Sequence, residues 1–427
     1  GAHGGWDSGS GKSFGGWDDH NCRPSDLSDV VKIFGCPSGN AFVALKSDGS
    51  VASWGATQNQ QAGNDPGITS GVVDVVCTHK ACAALKSDGS IESWGDSGEG
   101  GSGAPTAGIF TKIVYNTKAF AALKSDGSVV AWGKDGNGGC NNAAGGTDKN
   151  CVPDGLTSVS QIIANKVSFA ALKSDGSIES WGNTAYGGDN EPSGTGFVNI
   201  VSSGLAFAAL KDDESVVAWG GDYQGGCDSG TDITDRTCKP SGLTDVVELI
   251  GGASAFLVRK SDNTVAVWGH KETGGCKSGS GTTVYTCMPG GLTDVVGVFS
   301  TGIGLKGWGG EAFSVIMSDG SVKAWGKKGQ GGDDPEINSG VAHIYSSYRA
   351  FLAVGSTSLA YGPEVTGSSG GSVKKSKDCV DCAEGFQNEN GVATLKDGPV
   401  NTCTVRMCVL NEFSDGSICK ACPAQSG

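Results

Sequence analysis

No apolar run in this sequence approaches the ~18 to 20 residues of a membrane-spanning helix, and no charged-then-apolar leader opens it. Lys and Arg never exceed two in a row and the formal net charge is −14. The basic footprint of a nucleic-acid binder is therefore missing, and no nucleic-acid partner is expected. Histidine is scarce. His3, His20, His79, His270 and His343 fall in unrelated places, and none sits in a G-x-S-x-G, H-E-x-x-H or phosphate-loop context. The acidic stretches, such as D-D-H-N from Asp18 and G-G-D-D-P-E from Gly331, read as solvated loops, and K-D-G-N-G-G-C-N-N from Lys134 supplies only part of a calcium loop. No enzyme, cofactor or metal site is expected. N-x-S/T is absent and only Asn401, in N-T-C, offers a weak variant, so heavy N-glycosylation is not expected. The chain begins with Gly1, which reads as a processed or truncated product.

What the chain has in excess is glycine, 73 of 427 residues, without a collagen period or a long polar tract, which points to very many turns. It also repeats itself. A-A-L-K-S-D-G-S-V-V-A-W-G at residues 121–133 has close copies from Val43, Ala83, Ala170 and Ala208, and W-G closes a unit at Trp54, Trp94, Trp132, Trp181, Trp219, Trp268 and Trp325. These are seven clear units. An eighth, degenerate one has Tyr361 in place of Trp, and Trp6 in G-G-W-D looks like the tail of a unit whose beginning is absent.

Each unit reads as three short strands, for instance T-D-V-V-E-L-I from Thr244, A-F-A-A-L-K from Ala119 and S-V-V-A-W-G from Ser128. The D-G pair between the second and third predicts a hairpin with a two-residue type I′ turn. Glu214 and Asn263 stand where other units have that Gly. Asn tolerates a left-handed backbone, but Glu there costs ~1 to 2 kcal/mol, so the fifth hairpin is expected to use a different turn. Apolar residues occupy both faces of the second strand, Phe120 and Ala122 on one and Ala121 and Leu123 on the other. That suits sheets stacked between sheets, as in radially repeated blades, better than a sandwich with one wet face.

F-A-A-L-K-S-D-G-S-V-V-A-W-G followed shortly by G-G resembles the RCC1-like repeat over roughly residues 1–362. The resemblance implies an all-β, RCC1-like β-propeller, usually of seven blades. Eight countable units leave open seven blades plus an extra element, eight blades, or a ring closed by the Trp6 segment. Residues 363–378 read as a flexible linker. Residues 379–427 hold six cysteines, and C-V-L-N-E-F-S-D-G-S-I-C-K-A-C-P from Cys408 resembles growth-factor-like or ephrin-receptor-like modules of surface proteins in algae and other protists.

Sixteen cysteines at patterned spacings favour an oxidising compartment. Cys140 with Cys151, Cys227 with Cys238 and Cys276 with Cys287 share one separation in three long linkers and are expected as disulfides, because a zinc site would need a second close pair beside each. Cys77 and Cys82 flank T-H-K-A and are read as a cross-strand bridge, Cys82 replacing the aromatic seen at Phe42, Phe120 and Phe169. Cys22 and Cys36 remain as a pair by elimination. In the tail, Cys379, Cys382, Cys403, Cys408, Cys419 and Cys422 are expected to pair with one another in a connectivity left open. A zinc ribbon on its two C-x-x-C pairs would strand Cys403 and Cys408.

Two aromatics stand out as candidate contacts: Trp6, and Trp308 in S-T-G-I-G-L-K-G-W-G-G-E-A-F from Ser300, an insertion that either projects Trp308 or folds back over its own blade. The functional expectation is a secreted structural or adhesive protein that self-associates into an extracellular filament or surface assembly. The rival is a propeller binding glycans or other extracellular proteins through its central funnel or inter-blade grooves. A regulatory or exchange-factor scaffold of the RCC1 type comes third.

Overall fold

The computed structural model describes residues 20–355, apart from 22–23, 25–26, 37–40, 57–62, 142–148, 228–235, 277–284, 302–310 and 348. Trp6, Cys22, Trp308, the linker, the Cys-rich module and its six cysteines lie outside the described residues.

The protein is all-β and built as a β-propeller. Blade one comprises strands Val30–Gly35, Ala41–Lys46 and Val51–Ala56, and blade two Val72–Cys77, Ala81–Lys86 and Ile91–Gly95. Blade three comprises Phe110–Tyr115, Ala119–Lys124 and Val129–Gly133, and blade four Val159–Ala164, Ser168–Lys173 and Ile178–Gly182. Blade five has Phe197–Ser202, Ala206–Lys211 and Val216–Gly220, blade six Val246–Gly251, Ala255–Lys260 and Val265–His270, and blade seven Val295–Ser300, Ala312–Met317 and Val322–Lys327. Blade eight shows Val341–Ser346 and Phe351–Gly355. Pairing within a blade is antiparallel with the second strand central. Short strands His20–Asn21, Arg236–Thr237 and Tyr285–Thr286, from the segment preceding each blade, add a fourth member to blades one, six and seven.

Side chains alternate across the central strand, so each blade has a leading face toward the blade before it and a trailing face toward the blade after it. Phe120 and Ala122 pack with Ala81 and Ala83 of blade two, whereas Ala119 and Ala121 pack with Phe169 and Ala171 of blade four. The two-sided pattern read from the sequence is met in this way. Seven apolar clusters occupy the seven junctions from one–two to seven–eight. Among the described residues, no such cluster joins blade eight to blade one.

The repeated hairpin differs from the expected type I′ turn. In S-D-G-S of blade three, Lys124 N–H donates to Ser128 O and Gly127 N–H to Lys124 O, and only Gly127, φ +79°, is left-handed. This is a three-residue loop, a type I turn followed by one left-handed residue. Asp126 stays out of the left-handed region because its Oδ1 accepts from both the N–H and the hydroxyl of Ser128, at 2.9 and 2.7 Å. The fifth and sixth hairpins keep the same loop, with Glu214 at φ +62° and Asn263 at φ +60°. Glu214 bears the strain rather than changing the turn.

The loop also serves the next blade. The left-handed residue's carbonyl accepts from the first N–H of the following blade: Gly127 from Val159 at 2.9 Å, Glu214 from Val246 at 3.1 Å and Asn263 from Val295 at 3.0 Å. The recurring sentence is thus at once a hairpin and an inter-blade tie.

The G-G pair that follows W-G in blades two to seven obeys the same logic. In the linker after blade five, Gly225 ends a single 3-10 turn at φ 92°. A Cβ there would lie 2.7 Å from the Phe256 ring of blade six, and one on Gly226 would meet the Gly220 carbonyl group at 2.5 Å. Phe256 stacks on Trp268 with ring centroids 5.2 Å apart, and buried Trp268 donates its Nε1–H to Gly225 O at 2.9 Å. Trp132, Trp181 and Trp325 do the same to Gly100, Gly138 and Gly274. Bare glycine backbone is what lets one blade's linker wedge onto the next blade's aromatic pair.

Candidate interaction surfaces

At one end of the propeller the turns joining first to second strands form a continuous hydrogen-bonded run. His79 N–H donates to Thr117 O, Thr117 N–H to Lys166 O, Lys166 N–H to Gly204 O and Gly204 N–H to Ala253 O, at 2.8 to 3.2 Å. One turn from each of blades two to six is linked. Beneath them lies a set of buried polar groups that the sequence reading missed. Asn116 accepts from Ala119 N–H on Oδ1 at 2.9 Å and donates from Nδ2 to Asn137 O at 2.7 Å. Asn165 treats Ser168 and Tyr186 alike, Thr78 uses its hydroxyl on Ala81 and Glu99, and Ser203 donates to Gln224 O. A polar residue three places before the A-F of the second strand was the available signal, though its type changes from blade to blade.

Charge is buried at this end too. Glu99 lies 3.5 Å from Lys118 and Glu311 lies 2.6 Å from Lys327. Burial pushes the Lys166 ammonium below its ordinary range, partly opposed by the Glu311 carboxylate. The insertion carrying Trp308 leaves from here, between Thr301 and Glu311, both buried.

Among the cysteines, the structure joins Cys77 to Cys82, Cys140 to Cys151, Cys227 to Cys238 and Cys276 to Cys287. Cys140–Asn141 and Cys151–Val152 lie alongside as a two-residue parallel pair, which sets the two sulfurs side by side. Cys77 and Cys82 face each other directly across their strands. Cys82 occupies the aromatic position opposite Trp94. Cys36 is fully buried with Sγ 3.5 Å from Cys82 Sγ, while its expected partner Cys22 lies outside the described residues. The sulfurs of Cys36, Cys77 and Cys82 gather within 4.8 Å, the one such cluster of potential metal ligands among the described residues. Two of the three are consumed by a disulfide, so the group does not offer the thiolates a metal needs.

Among the described residues, two groups of apolar side chains stand exposed in addition to Ile109, Tyr186 and Tyr223. In all eight first strands the register shifts after the first residue, for example between Val72 and Asp74. This bulge leaves Val31, Val73, Val198, Val247 and Val296 exposed; successive first strands touch, so Val31 is followed by Val73, and Val198 by Val247 and Val296, with Thr111 and Ser160 at this position in the blades between the two groups. The second group lies on the terminal blades. Ile33, on the leading face of blade one, is 58% exposed, whereas its counterparts Val75, Ile113, Ile162, Ile200, Leu249, Val298 and Ile344 are all at 8% or less. On the trailing face of blade eight, Ala350 is exposed and Leu352 partly so, where every counterpart from blades one to seven is buried.

The sequence matches no family profile and no curated relative at a significant level. Solved structures align with it at low identity. The entire ectodomain of the Physcomitrella patens receptor kinase CR4 aligns at 17% identity over 58% of this chain and 66% of that one, TM-score 0.36. Yeast RCC1 (Prp20), solved bound to Kap60, aligns at 15% over 64% and 79%, TM-score 0.38. The CRINKLY WD40 ectodomain of the Arabidopsis thaliana receptor kinase ACR4 aligns at 16% over 54% and 78%, TM-score 0.34. These similarities are too distant to transfer a partner or an activity to this chain.

Proposed function

We propose that the protein is a secreted structural component, a building block of an extracellular filament or cell-surface assembly. The observation that carries this reading is the set of four disulfides, three of them closing the long linkers between consecutive blades. Such bonds persist in oxidising compartments outside the cytosol, and here they brace a scaffold whose parts are otherwise concerned with joining one blade to the next. Among the described residues, the buried Asn116, Asn165 and Thr78 hold turns, and the buried Glu99 and Glu311 face lysines. Electron microscopy of native material tests the reading. Regular polymers containing this chain, with oxidised linker cysteines on peptide mapping, support it, and a cytosolic protein with reduced linkers overturns it.

A second reading, a propeller that binds glycans or extracellular proteins, is favoured by the exposed Val31, Val73, Val198, Val247 and Val296 on the first strands. Binding of the monomer on a glycan array, lost on replacing Val198 and Val247 by Ser, is the outcome that would prefer it.

A further inference from the structure

We propose that the uncovered leading face of blade one receives the trailing face of blade eight of a second copy, so that copies join head to tail through a junction of the kind already present seven times within each. This rests on the structural reading above and names its contact.

The occupant follows from the repeat. Leading faces in blades two to eight present the same positions as blade one: a β-branched or aromatic residue opening the first strand, an aliphatic residue three places on, and the first aromatic or cysteine of the second strand. Each is covered by the trailing face of the blade before it, with alanine, valine, leucine or isoleucine from the central strand filling the contact. Blade one carries Val30, Ile33 and Phe42 at those positions; Ile33 is exposed and Val30 and Phe42 partly so, while Ala44 and Trp54 of the same face are buried, so the open part of the face centres on Ile33. Blade eight carries Ala350 and Leu352 at the trailing positions, also uncovered. The described residues therefore hold both halves of one junction, on the first and the last of their blades. Two different surfaces meeting in this way make a heterologous contact, which propagates unless rotation closes it. The net charge of −14 on each copy opposes the approach, so salt should strengthen association by screening that repulsion while leaving apolar burial intact.

The test uses the full chain in sedimentation velocity and negative-stain microscopy over a concentration and salt series, with Ile33→Arg and Ala350→Arg. Both positions are exposed, so each variant is expected to keep the wild-type circular dichroism. Wild type is expected to form oligomers of graded length that grow with salt. Each variant alone should associate at least tenfold more weakly. An equal mixture of the two should form one-to-one dimers and nothing longer, since Ile33→Arg retains an intact trailing face and Ala350→Arg an intact leading face. Oligomers that survive both substitutions would overturn this junction and leave the structural reading standing. A wild-type chain monomeric under all conditions would overturn both. Faster hydrogen exchange of blade eight in a monomeric Ile33→Arg chain would show the two faces meeting within one molecule, and would also overturn the proposal.

Discussion

Gly225→Ala tests the wedge between blades five and six. At φ 92° and ψ 12° an alanine pays the left-handed penalty of about 1 to 2 kcal/mol. Its Cβ would also stand 2.7 Å from the Phe256 ring and 3.3 Å from Trp268, and overpacking of a filled junction costs about 1 to 3 kcal/mol. The unfolded chain, made stiffer, returns about 0.4 to 1 kcal/mol. The net expectation is a loss of about 1 to 4.6 kcal/mol, centred near 3. Gly242→Ala is the control: it is also left-handed, at φ +64°, but a Cβ there meets nothing within 4 Å, so only about 0 to 1.6 kcal/mol should be lost by the same reckoning. Urea unfolding followed by circular dichroism gives both values, and hydrogen exchange in the strand Ala255–Lys260 reports whether the loss is local to the junction. If Gly225→Ala costs no more than Gly242→Ala, the aromatic pair does not clamp the preceding linker and the explanation of the G-G pair fails.

Replacing both Cys140 and Cys151 by Ser should cost roughly 3 kcal/mol, the loop-closure value for a ring of this size, as read by urea unfolding; an unchanged midpoint would show that the bond does not constrain the unfolded chain. Glu214→Gly should raise the melting temperature slightly, because relief of about 1 to 2 kcal/mol of left-handed strain exceeds the roughly 0.5 to 1 kcal/mol that glycine adds to unfolded-state entropy; a fall would mean that the Glu214 side chain makes a stabilising contact. The aspartates of the repeated loops, Asp48, Asp88, Asp126, Asp175, Asp213, Asp262 and Asp319, are all held below the ordinary carboxylate range, chiefly by the following Ser or Thr hydroxyl and then by its N–H. The folded chain therefore binds fewer protons than the unfolded one, so this stabilisation is complete above the unfolded carboxylate value of ~4 and is lost as pH falls through the lowered folded values. A urea midpoint flat between about pH 5 and 2 would contradict it.

The strands, the hairpins and the two-faced burial could be read because they depend on local alternation that recurs in every unit. The loop type could not, since D-G serves both a two-residue and a three-residue turn, and the choice is made by Asp126 reaching Ser128 rather than entering the left-handed region. Glu214 was read as a break in the pattern because its strain is local and visible, whereas the inter-blade bond that its carbonyl makes to Val246 is not. The same holds for Gly225: the sequence shows the pair, but its reason is a phenyl ring thirty residues on. The openness of the terminal faces was equally hidden. Ile33 looks like Ile113 or Ile200 in sequence, and differs in that no described blade covers it. The linker cysteines were legible from their common spacing alone.

The bridges in the long linkers also bear on how the chain would carry tension. Adjacent blades are joined covalently only by their linkers, so a pull along the chain loads blade, linker and blade in series. Each bond between cysteines eleven apart shorts out about 35 Å of extended backbone, and the force passes through two sulfurs instead. The three bridges together withhold roughly 100 Å of slack at that reach per residue. With these three linkers oxidised, extension must come from the four unbridged linkers, 57–71, 96–109, 183–196 and 328–340, or from the opening of a blade. Once reduced, the chain would also lengthen between blades three and four, five and six, and six and seven, with every sheet still intact.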